Sequence, residues 1–551
     1  MAFIKSSSGT PRPLEVGRSL FDYADDERLP VPTSCLRNAY CHECVVDVSS
    51  GMSSLNARTD AEAFLRDPYR LACQALVERT DEDIEFEPLR RSPKILSEGR
   101  ERSVKLDPVV TRQGDDILYD GEVVDRFRGH VLGLAIDLGT TTVAMDLVDL
   151  ESGESLSVSA FENPQRFGGS DVMNRISYDG GPHQGELQKS VVTALNRHIA
   201  SLGERFGFAR QEIYEITIAG NSTMRDLLFR LDVQPIGTRP YKSTIEQAFL
   251  DGEREHTAHT DRSRRLGIRC NINTRVYGLP LIASHVGADT AADLVACDMM
   301  SGDRDDVVML VDVGTNTEVV IAGRGRMLTA SSPAGPAFEG GLVRYGIPGY
   351  EGAIETVRID ADGVFQNSTI GDADPVGICG SGLIDLLAEL RRTGMMSERG
   401  TLQEAGEDAA RTAHISVAPD QGITFSGEDA SHLAQAKAAN YCGQYLLMKE
   451  FGIDPADVST LYLAGGFANY IDVASAVAIG FLAPVPAERI VKVGNAAMQG
   501  AREALLDRTR RAELERVCQQ VEHVELETNP EFFNAFVDGC MYNPMPDRFT
   551  T

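Results

Sequence analysis

Two distant stretches of the chain carry the same pattern of apolar runs around a polar turn. From Val131 onward, an apolar run ends in Asp137, and a Gly-Thr turn leads into a second apolar run. From Val308 onward, the same pattern ends in Asp312 and is followed by another Gly-Thr turn. Apolar runs of this length on either side of a tight turn predict a strand-turn-strand hairpin in each copy. Because the copies lie far apart, they indicate an internal repeat at the scale of a domain.

A third element of strand length follows later in the chain. The apolar run 461–464 leads into Gly465 and Gly466, and then into a predicted helix that continues through 474–479. Glycines at this point allow a flat ring to approach the backbone closely. Close packing of the helix against the strand is the structural alternative.

The first 88 residues alternate short strand-like and helix-like patterns. Together these patterns predict a small β-grasp domain. The predicted strands are 2–5, 45–48, 71–77 and 84–87, and the predicted helices are 19–26 and 61–65. The segment that follows is charged and has only short apolar periods, which predicts a partly extended linker with a small hairpin. Such a linker would let the first domain move.

The length of 551 residues is more than one core usually organises, so several domain-sized units are expected. We predict an α/β and α+β multidomain chain, in which a β-grasp domain and a linker precede two α/β halves. The predicted boundaries are 1–88 for the β-grasp domain, 89–129 for the linker, 130–300 for the first half, and 301–551 for the second half.

The charge balance is strongly acidic, with 82 Asp and Glu against 53 Lys and Arg, a net charge of -29. This balance argues against a nucleic-acid partner, because binding to phosphate backbones depends on clustered Lys and Arg. No apolar stretch is long enough for a membrane span, and the N-terminus lacks the apolar core of a signal peptide. We therefore expect a cytoplasmic protein that does not bind membranes.

Four of the ten cysteines fall within the first 75 residues, at Cys35, Cys41, Cys44 and Cys73. The first three share one short loop and the fourth comes from a distant segment, so four thiolates could surround one [2Fe-2S] cluster. A zinc site is the alternative, although structural zinc sites usually pair two short Cys or His knuckles. Loop residues 36–40 include no glycine, which predicts a stiffer cluster loop with an altered potential. The other six cysteines are expected to be small buried side chains.

The repeated turns offer the groups that bind a nucleoside triphosphate. Backbone amides and hydroxyls suit phosphate, and each Asp can hold Mg2+ through water. Two such loops facing each other across a cleft could clamp a triphosphate from both sides. The candidate residues are Asp137, Gly139, Thr140, Thr141 and Thr142 in the first copy, and Asp312, Gly314, Thr315 and Asn316 in the second.

In this order, the two turns and the Gly-Gly element resemble the phosphate-1, phosphate-2 and adenosine motifs of the sugar-kinase, actin and heat-shock chaperone superfamily. The resemblance implies that the two α/β halves are RNase H-like and of the actin and sugar-kinase type, with ATP bound between them. Further segments resemble signatures of the ATP-dependent reductive activators of corrinoid proteins, and the likeness covers nearly the whole chain. These segments are 163–176, 219–224, 286–290, 334–340 and 377–385.

The resemblance implies that the protein returns an inactivated Co(II) corrinoid to the Co(I) state needed for methyl transfer. Asp137 and Asp312 would then be the catalytic carboxylates, and Gly465 and Gly466 would lie against adenosine. The resemblance also implies a corrinoid protein as partner, a low-potential electron donor and a homodimer. Four further residues are implied in the cleft, namely Gly335, Glu339, Gly380 and Ser381. For the segment 163–176 we derive no chemical role, and packing is the simpler interpretation.

The residues alone leave two other classes of function open. One is a kinase or chaperone-like ATPase with an accessory metal domain, although no carboxylate base for a kinase can be singled out. The other is a ferredoxin-type electron donor, which would need a flavin or nicotinamide module. No G-x-G-x-x-G motif follows a strand, which counts against that class.

Overall fold

The fold class predicted from the sequence is confirmed: an N-terminal ferredoxin-like domain precedes two α/β halves that share the order of five strands. The computed structural model describes residues 2–549 except 6–10, 28, 30, 32, 34–36, 40–43, 63–64, 66, 89–103, 170, 183, 404–413 and 467.

The N-terminal domain is a five-stranded mixed sheet covered by one helix. Its strands are β1 (Phe3–Lys5), β2 (Arg12–Pro13), β3 (Val45–Ser50), β4 (Tyr69–Leu71) and β5 (Ile84–Pro88), and its helix is α1 (Leu20–Glu27). The sheet order is β2-β1-β5-β3-β4, with β1 and β5 parallel. Buried Ile4, Val46 and Phe86 pack with Leu20 of α1 to form the core. The predicted β-grasp arrangement is therefore present.

Two predicted elements of this domain are different in the structure. The strand predicted at 71–77 is wrong, because β4 ends at Leu71 and residues 72–74 form a turn. The amide of Ala72 donates to the Cys44 carbonyl at 2.7 Å, so this turn presents Cys73 to the preceding loop. In place of the predicted helix 61–65 there is a 3-10 turn at Asp60–Glu62. Buried Glu62 there pairs with Arg70 at 2.7 Å, and this ion pair fixes the local chain path.

The segment between the N-terminal domain and the first half contains a three-stranded antiparallel sheet. Its strands are β6 (Val110–Gln113), β7 (Asp116–Tyr119) and β8 (Glu122–Arg126). Val110 and Ile117 are buried in the core that the two halves share, and Arg508 donates to the Pro108 carbonyl at 2.7 Å. This part of the expected linker is therefore packed against the body of the protein. Residues 89–103 lie outside the described residues.

The first half has a six-stranded sheet in the order β11-β10-β9-β12-β14-β13. The strands are β9 (Leu132–Leu138), β10 (Thr142–Asp149), β11 (Ser155–Glu162), β12 (Ile213–Ala219), β13 (His259–Arg262) and β14 (Arg275–Gly278). The helices are α2 (Val172–Asp179), α3 (Glu186–Phe206), α4 (Ser222–Leu228), α5 (Thr244–Leu250), α6 (Ser263–Leu266) and α7 (Ala288–Ala296).

The second half repeats this design in a sheet of order β24-β23-β15-β16-β17-β25. Its sheet strands are β15 (Val307–Val313), β16 (Asn316–Gly323), β17 (Arg326–Pro333), β23 (Val458–Ala464), β24 (Ile490–Gly494) and β25 (Glu522–His523). Between β17 and α9 lie two small sheets formed by β18 (Ala353–Ile359), β19 (Phe365–Thr369), β20 (Gly377–Ile378), β21 (His414–Ala418) and β22 (Ile423–Ser426). The helices are α8 (Gly380–Arg392), α9 (Gly427–Phe451), α10 (Val473–Ala478), α11 (Ala496–Leu506), α12 (Arg508–Val517) and α13 (Phe532–Gly539).

The strand orders confirm the repeat. In each half, two antiparallel hairpin partners lie on one side of the first strand and two parallel strands lie on the other. Without the edge strands β13 and β25, which differ between the halves, the five remaining strands have the same order, 3-2-1-4-5, in both sheets.

Helices α7 and α11 form a layer shared by the two halves. A Cβ built on Gly500 of α11 would lie 1.9 Å from the Ala292 carbonyl of α7, so the crossing is too close for any side chain. Although α11 belongs to the second half in sequence, it packs against β9, β10 and β12 of the first half. The Thr217 hydroxyl of β12 donates to the Ala501 carbonyl at 2.9 Å. This layer brings the ends of β9 and β15 to the same cleft.

Candidate functional site

A cleft of about 300 Å³ lies between the two halves, where β9, β15 and β23 end. Both predicted phosphate loops and the Gly-Gly element contribute to its walls. The predicted residues that line it are Asp137, Gly139, Thr140, Thr141, Thr142, Asp312, Gly314, Thr315, Asn316, Gly465 and Gly466, joined by Glu339, Gly380 and Ser381. The structure therefore brings together residues that the sequence separates by more than 300 positions.

The floor of the cleft is acidic. Asp137 near the end of β9, Asp312 near the end of β15 and Asp289 in the first turn of α7 all line it. Burial raises the pKa of Asp137 to about 7 and that of Asp312 to about 6. Burial and the nearby Asp312 also raise the pKa of Asp289, to about 7. Carboxylates held this close favour a cation, because a positive charge relieves both burial and mutual repulsion.

The cleft offers carboxylates that could contribute to a magnesium site together with a nucleotide. Among the described residues, no group of three His, Cys, Asp or Glu side chains could hold a metal ion. Magnesium bound with nucleotide usually takes one or two carboxylates and completes its shell with water and phosphate. Asp137 and Asp312 match that requirement.

The first phosphate loop is fixed from behind by buried side chains. The Asn163 side chain donates to the Gly139 carbonyl at 2.7 Å, and Arg175 donates to the Thr140 carbonyl at 2.6 Å. Asn163 and Arg175 are both fully buried. Asn221 donates to the Thr140 hydroxyl at 2.9 Å. These contacts from buried side chains therefore support the shape of the loop.

The second phosphate loop is fixed mainly by the main chain. The Gly314 amide donates to the Asn316 carbonyl at 2.9 Å, and the Gly335 amide donates to the Thr315 carbonyl at 2.9 Å. The Thr315 hydroxyl donates to the Glu339 carboxylate at 3.0 Å. The same carboxylate accepts the Thr141 hydroxyl of the first loop, also at 3.0 Å. Glu339 therefore joins the two loops across the cleft.

The Gly-Gly element has two glycines with different roles. Gly465 has a φ of 113°, and a Cβ there would lie 2.1 Å from the Val313 carbonyl, so only glycine fits. A Cβ on Gly466 would meet nothing within 4 Å, so this residue leaves open space in the cleft. That space is what a flat ring against the backbone would need. The predicted helix follows as α10, after a 3-10 turn at Ala468–Tyr470.

Some residues of the site were not found by sequence reasoning. Asn495 caps α11 through the Met498 amide and donates to the Asp137 carboxylate at 2.8 Å. The Val-Gly pair before Asn495 repeats the Val-Gly pair before Ala288 of α7. This repeat is the sequence pattern that could have indicated Asn495. The roles of Asn163 and Arg175 were also missed, because a polar segment reveals nothing about which loop it supports.

Two of the four predicted cluster ligands, Cys44 and Cys73, lie among the described residues. The sulfurs of Cys44 and Cys73 lie 3.3 Å apart and are not joined by a disulfide. Two thiolates bound to one metal at about 2.3 Å can be at most about 4.6 Å apart, so this pair could bind one metal ion. The Cys44 thiol also lowers the pKa of Cys73 to about 7. Cys35 and Cys41 lie outside the described residues.

Two residues other than glycine adopt left-handed backbone conformations in the cluster loop. Arg37 has a φ of 67° and Ala39 a φ of 64°, both in the left-handed region. The Arg37 guanidinium lies over the Phe21 ring, 4.1 Å from its centre, and pairs with Asp22 and Asp25 of α1. These contacts tie the loop to the helix and offset part of the backbone strain.

The remaining cysteines lie away from this loop. Cys297, Cys379, Cys442 and Cys518 are buried, whereas Cys270 and Cys540 are partly exposed. The expectation of buried small side chains is thus confirmed for four of the six. Among the described residues, no helix is long and apolar enough to cross a membrane.

Three family models match consecutive parts of the chain. Residues 6–78 match a 2Fe-2S iron-sulfur cluster binding domain, residues 132–302 match the RACo middle region, and residues 306–550 match the C-terminal domain of RACo, the ASKHA domain.

Curated relatives and a solved structure agree with these models. The corrinoid activation enzyme RamQ of Eubacterium limosum is 29% identical over 75% of this chain and 70% of its own. A reductase of Methanosarcina barkeri, for the Co(II) methylated amine-specific corrinoid protein, is 23% identical over 74% of this chain and 77% of its own. The solved reductive activator for corrinoid,iron-sulfur protein is 26% identical, covers 99% of both chains and superposes with a TM-score of 0.71. The chain therefore belongs to the family that joins a [2Fe-2S] cluster-binding domain to the middle region and the ASKHA domain of RACo.

Proposed function

We propose that this protein reductively activates a corrinoid protein, using ATP and one electron to return Co(II) to the Co(I) needed for methyl transfer. The observation that carries the proposal is the presence, in one chain, of a [2Fe-2S] domain and of a cleft between two repeated halves that suits a nucleotide. The names of the relatives support the substrate class.

In the cleft, Asp137 and Asp312 hold Mg2+ through water as the catalytic carboxylates. The amides and hydroxyls of the two loops bind the phosphates, and the adenosine lies along Gly465 and Gly466. The lining of the cleft, the raised pKa values of the two carboxyls and the open space at Gly466 support these roles. The loop residues concerned are Gly139, Thr140, Thr141, Thr142, Gly314, Thr315 and Asn316.

The four ligands of the cluster are Cys35, Cys41, Cys44 and Cys73. When bound, the cluster supplies a one-electron carrier at low potential. The short distance between the Cys44 and Cys73 sulfurs supports both as residues that would hold the cluster.

ATP is needed because the electron moves uphill. For one electron, a gap of about 200 mV corresponds to about 5 kcal/mol. That is more than the roughly 1–3 kcal/mol of one allosteric coupling, so hydrolysis or strong complex formation has to add the rest. Glu339 contacts a loop from each half. These contacts support the idea that nucleotide binding changes the shape of the cleft.

The finer assignments of partners belong to the same proposal. A low-potential donor reloads the cluster, the protein works in the cytoplasm, and two copies form a homodimer. Gel filtration with light scattering tests the dimer, and a monomer at micromolar concentration would contradict it.

The test combines a Co(II) corrinoid protein of a methyltransferase system with ATP and a low-potential reductant while the corrinoid spectrum is recorded. Conversion to Co(I) should require ATP. Cys41→Ala should lose the iron-sulfur absorption and the activation but retain ATP binding, whereas Cys540→Ala, a thiol in the second half, should behave as the unmodified protein. Conversion that is equally fast and complete without ATP would contradict the proposal. Phosphorylation of a small substrate would instead indicate a kinase.

A further inference from the structure

The segment 163–176 has no part in the proposed function so far, although it lies directly behind the first phosphate loop. Asn163 follows β11, and Arg175 lies on α2. Neither side chain lines the cleft, and both have an exposed fraction of 0%. Any effect of these residues on a ligand therefore passes through the loop.

The two side chains donate hydrogen bonds to successive main-chain carbonyl groups. Asn163 binds the Gly139 carbonyl at 2.7 Å, and Arg175 binds the Thr140 carbonyl at 2.6 Å. The Asn163 main chain adds a bond to the Thr141 carbonyl at 2.8 Å. The Arg175 side chain is fixed in turn by its bond to the Gly169 carbonyl at 3.0 Å.

The direction of the carbonyls sets the direction of the amides. In a trans peptide the C=O and the following N–H point to opposite sides of the chain, and neither loop peptide here is cis. With the Gly139 and Thr140 carbonyls held towards the buried side, the Thr140 and Thr141 amides point to the other side, where the cleft lies. Within the described part of the chain, no acceptor reaches either amide. Successive amides that converge in this way form a concavity that binds anions.

We propose that Asn163 and Arg175 are positioning residues that preset the first phosphate loop, so that two main-chain amides already face the phosphate chain before the nucleotide arrives. This inference rests on the proposed binding of ATP in the cleft and deepens it. Because the amides meet phosphate oxygens and not the adenosine, loss of the clamp should weaken phosphate-bearing ligands selectively.

The test is titration calorimetry of the full-length, cluster-loaded protein with ATP, ADP and adenosine. Arg175→Met keeps the side-chain bulk but removes the donors, and should weaken ATP binding about tenfold or more, as expected for the loss of a charged hydrogen bond. ADP should lose less, and adenosine affinity should stay within about twofold. Arg175→Lys should recover part of the ATP affinity, because one donor and the charge remain.

Arg225→Met is the matched control. Arg225 is equally buried in the same half, but it binds Asp226 and the carbonyls of Thr257 and Leu279 instead of the loop. Its loss should lower the unfolding midpoint without changing the ratio of ATP to adenosine affinity.

A second variant keeps the inference testable if Arg175→Met does not fold. Asn163→Asp has nearly the same shape but places an acceptor against the Gly139 carbonyl, and should give the same selective loss. Equal losses for ATP and adenosine, or the same selectivity in Arg225→Met, would overturn the inference. Failure of the unmodified protein to bind ATP would overturn the proposed function and this inference with it.

Discussion

The two phosphate loops have the same fold but are held in different ways. Buried side chains hold the first loop, through Asn163 and Arg175. Main-chain bonds hold the second loop, through the amides of Gly314 and Gly335, with one side-chain contact to Glu339. The first loop is therefore held by a buried wall, whereas the second depends on the neighbouring turns.

The two halves also differ where their fourth strand ends. At the end of β12, Gly220 is followed by Asn221, whose side chain binds the Thr140 hydroxyl. At the end of β23, Gly465 is followed by Gly466, which leaves the space empty. After duplication, one half thus carries a side chain that supports its phosphate loop, and the other carries none and leaves room for a ring.

Gly465→Ala should have the largest effect. A Cβ would meet the Val313 carbonyl at 2.1 Å, whereas at the equivalent Gly220 it would meet the Leu138 carbonyl at 2.7 Å. Both positions have positive φ, of 113° and 150°. We expect Gly465→Ala to cost about 3 kcal/mol or more, and Gly220→Ala about 1–3 kcal/mol. Urea unfolding measures both, and a larger cost at Gly220 would contradict the geometry.

Gly466→Asn makes the second half resemble the first. The fold should tolerate it, since a Cβ meets no atom within 4 Å, but the side chain would occupy the proposed adenosine site. ATP and adenosine should both lose about 100-fold in affinity, by steric overlap. This joint loss differs from the selective loss expected for Arg175→Met. Calorimetry distinguishes them, with the surface variant Gly181→Ala as control. An unchanged affinity for adenosine would place the ring elsewhere.

Glu339→Gln should have the smallest effect. The carboxylate accepts hydroxyls from both loops, and these are the donors that phosphate would use. Loss of its charge should tighten ATP binding about three- to tenfold, because one competing negative charge is removed. The control is Glu355→Gln, which removes a charge from the cleft wall without touching these hydroxyls. Equal gains in both variants would show that only net charge matters.

The repeat and most of the site could be predicted because their signals are local. An apolar run that ends in Asp before Gly-Thr defines a strand, its end and the polar groups beyond it. This pattern was enough to place Asp137 and Asp312 on equivalent strands, and the structure puts both in one cleft.

The supporting contacts could not be predicted, because they join residues far apart in the chain. Asn495 lies 358 positions from Asp137, and Glu339 lies 198 positions from Thr141. The apolar run at 71–77 misled for a related reason. Leu71, Ala72, Ala75 and Val77 are buried on either side of Cys73, in and around a turn at 72–74, and burial alone does not distinguish a turn from a strand.

The packing of α11 on the first half has a consequence for synthesis on the ribosome. The first half cannot cover β9, β10 and β12 until a helix that ends at Leu506 has been translated. Until then, apolar side chains around Ala135 and Leu150 stay accessible to chaperones. One family model ends at residue 302 and the next begins at residue 306, but we expect that this boundary does not separate two parts that fold independently. A chain that stops at residue 305 should therefore aggregate or be degraded, and co-expression of the missing part should rescue it.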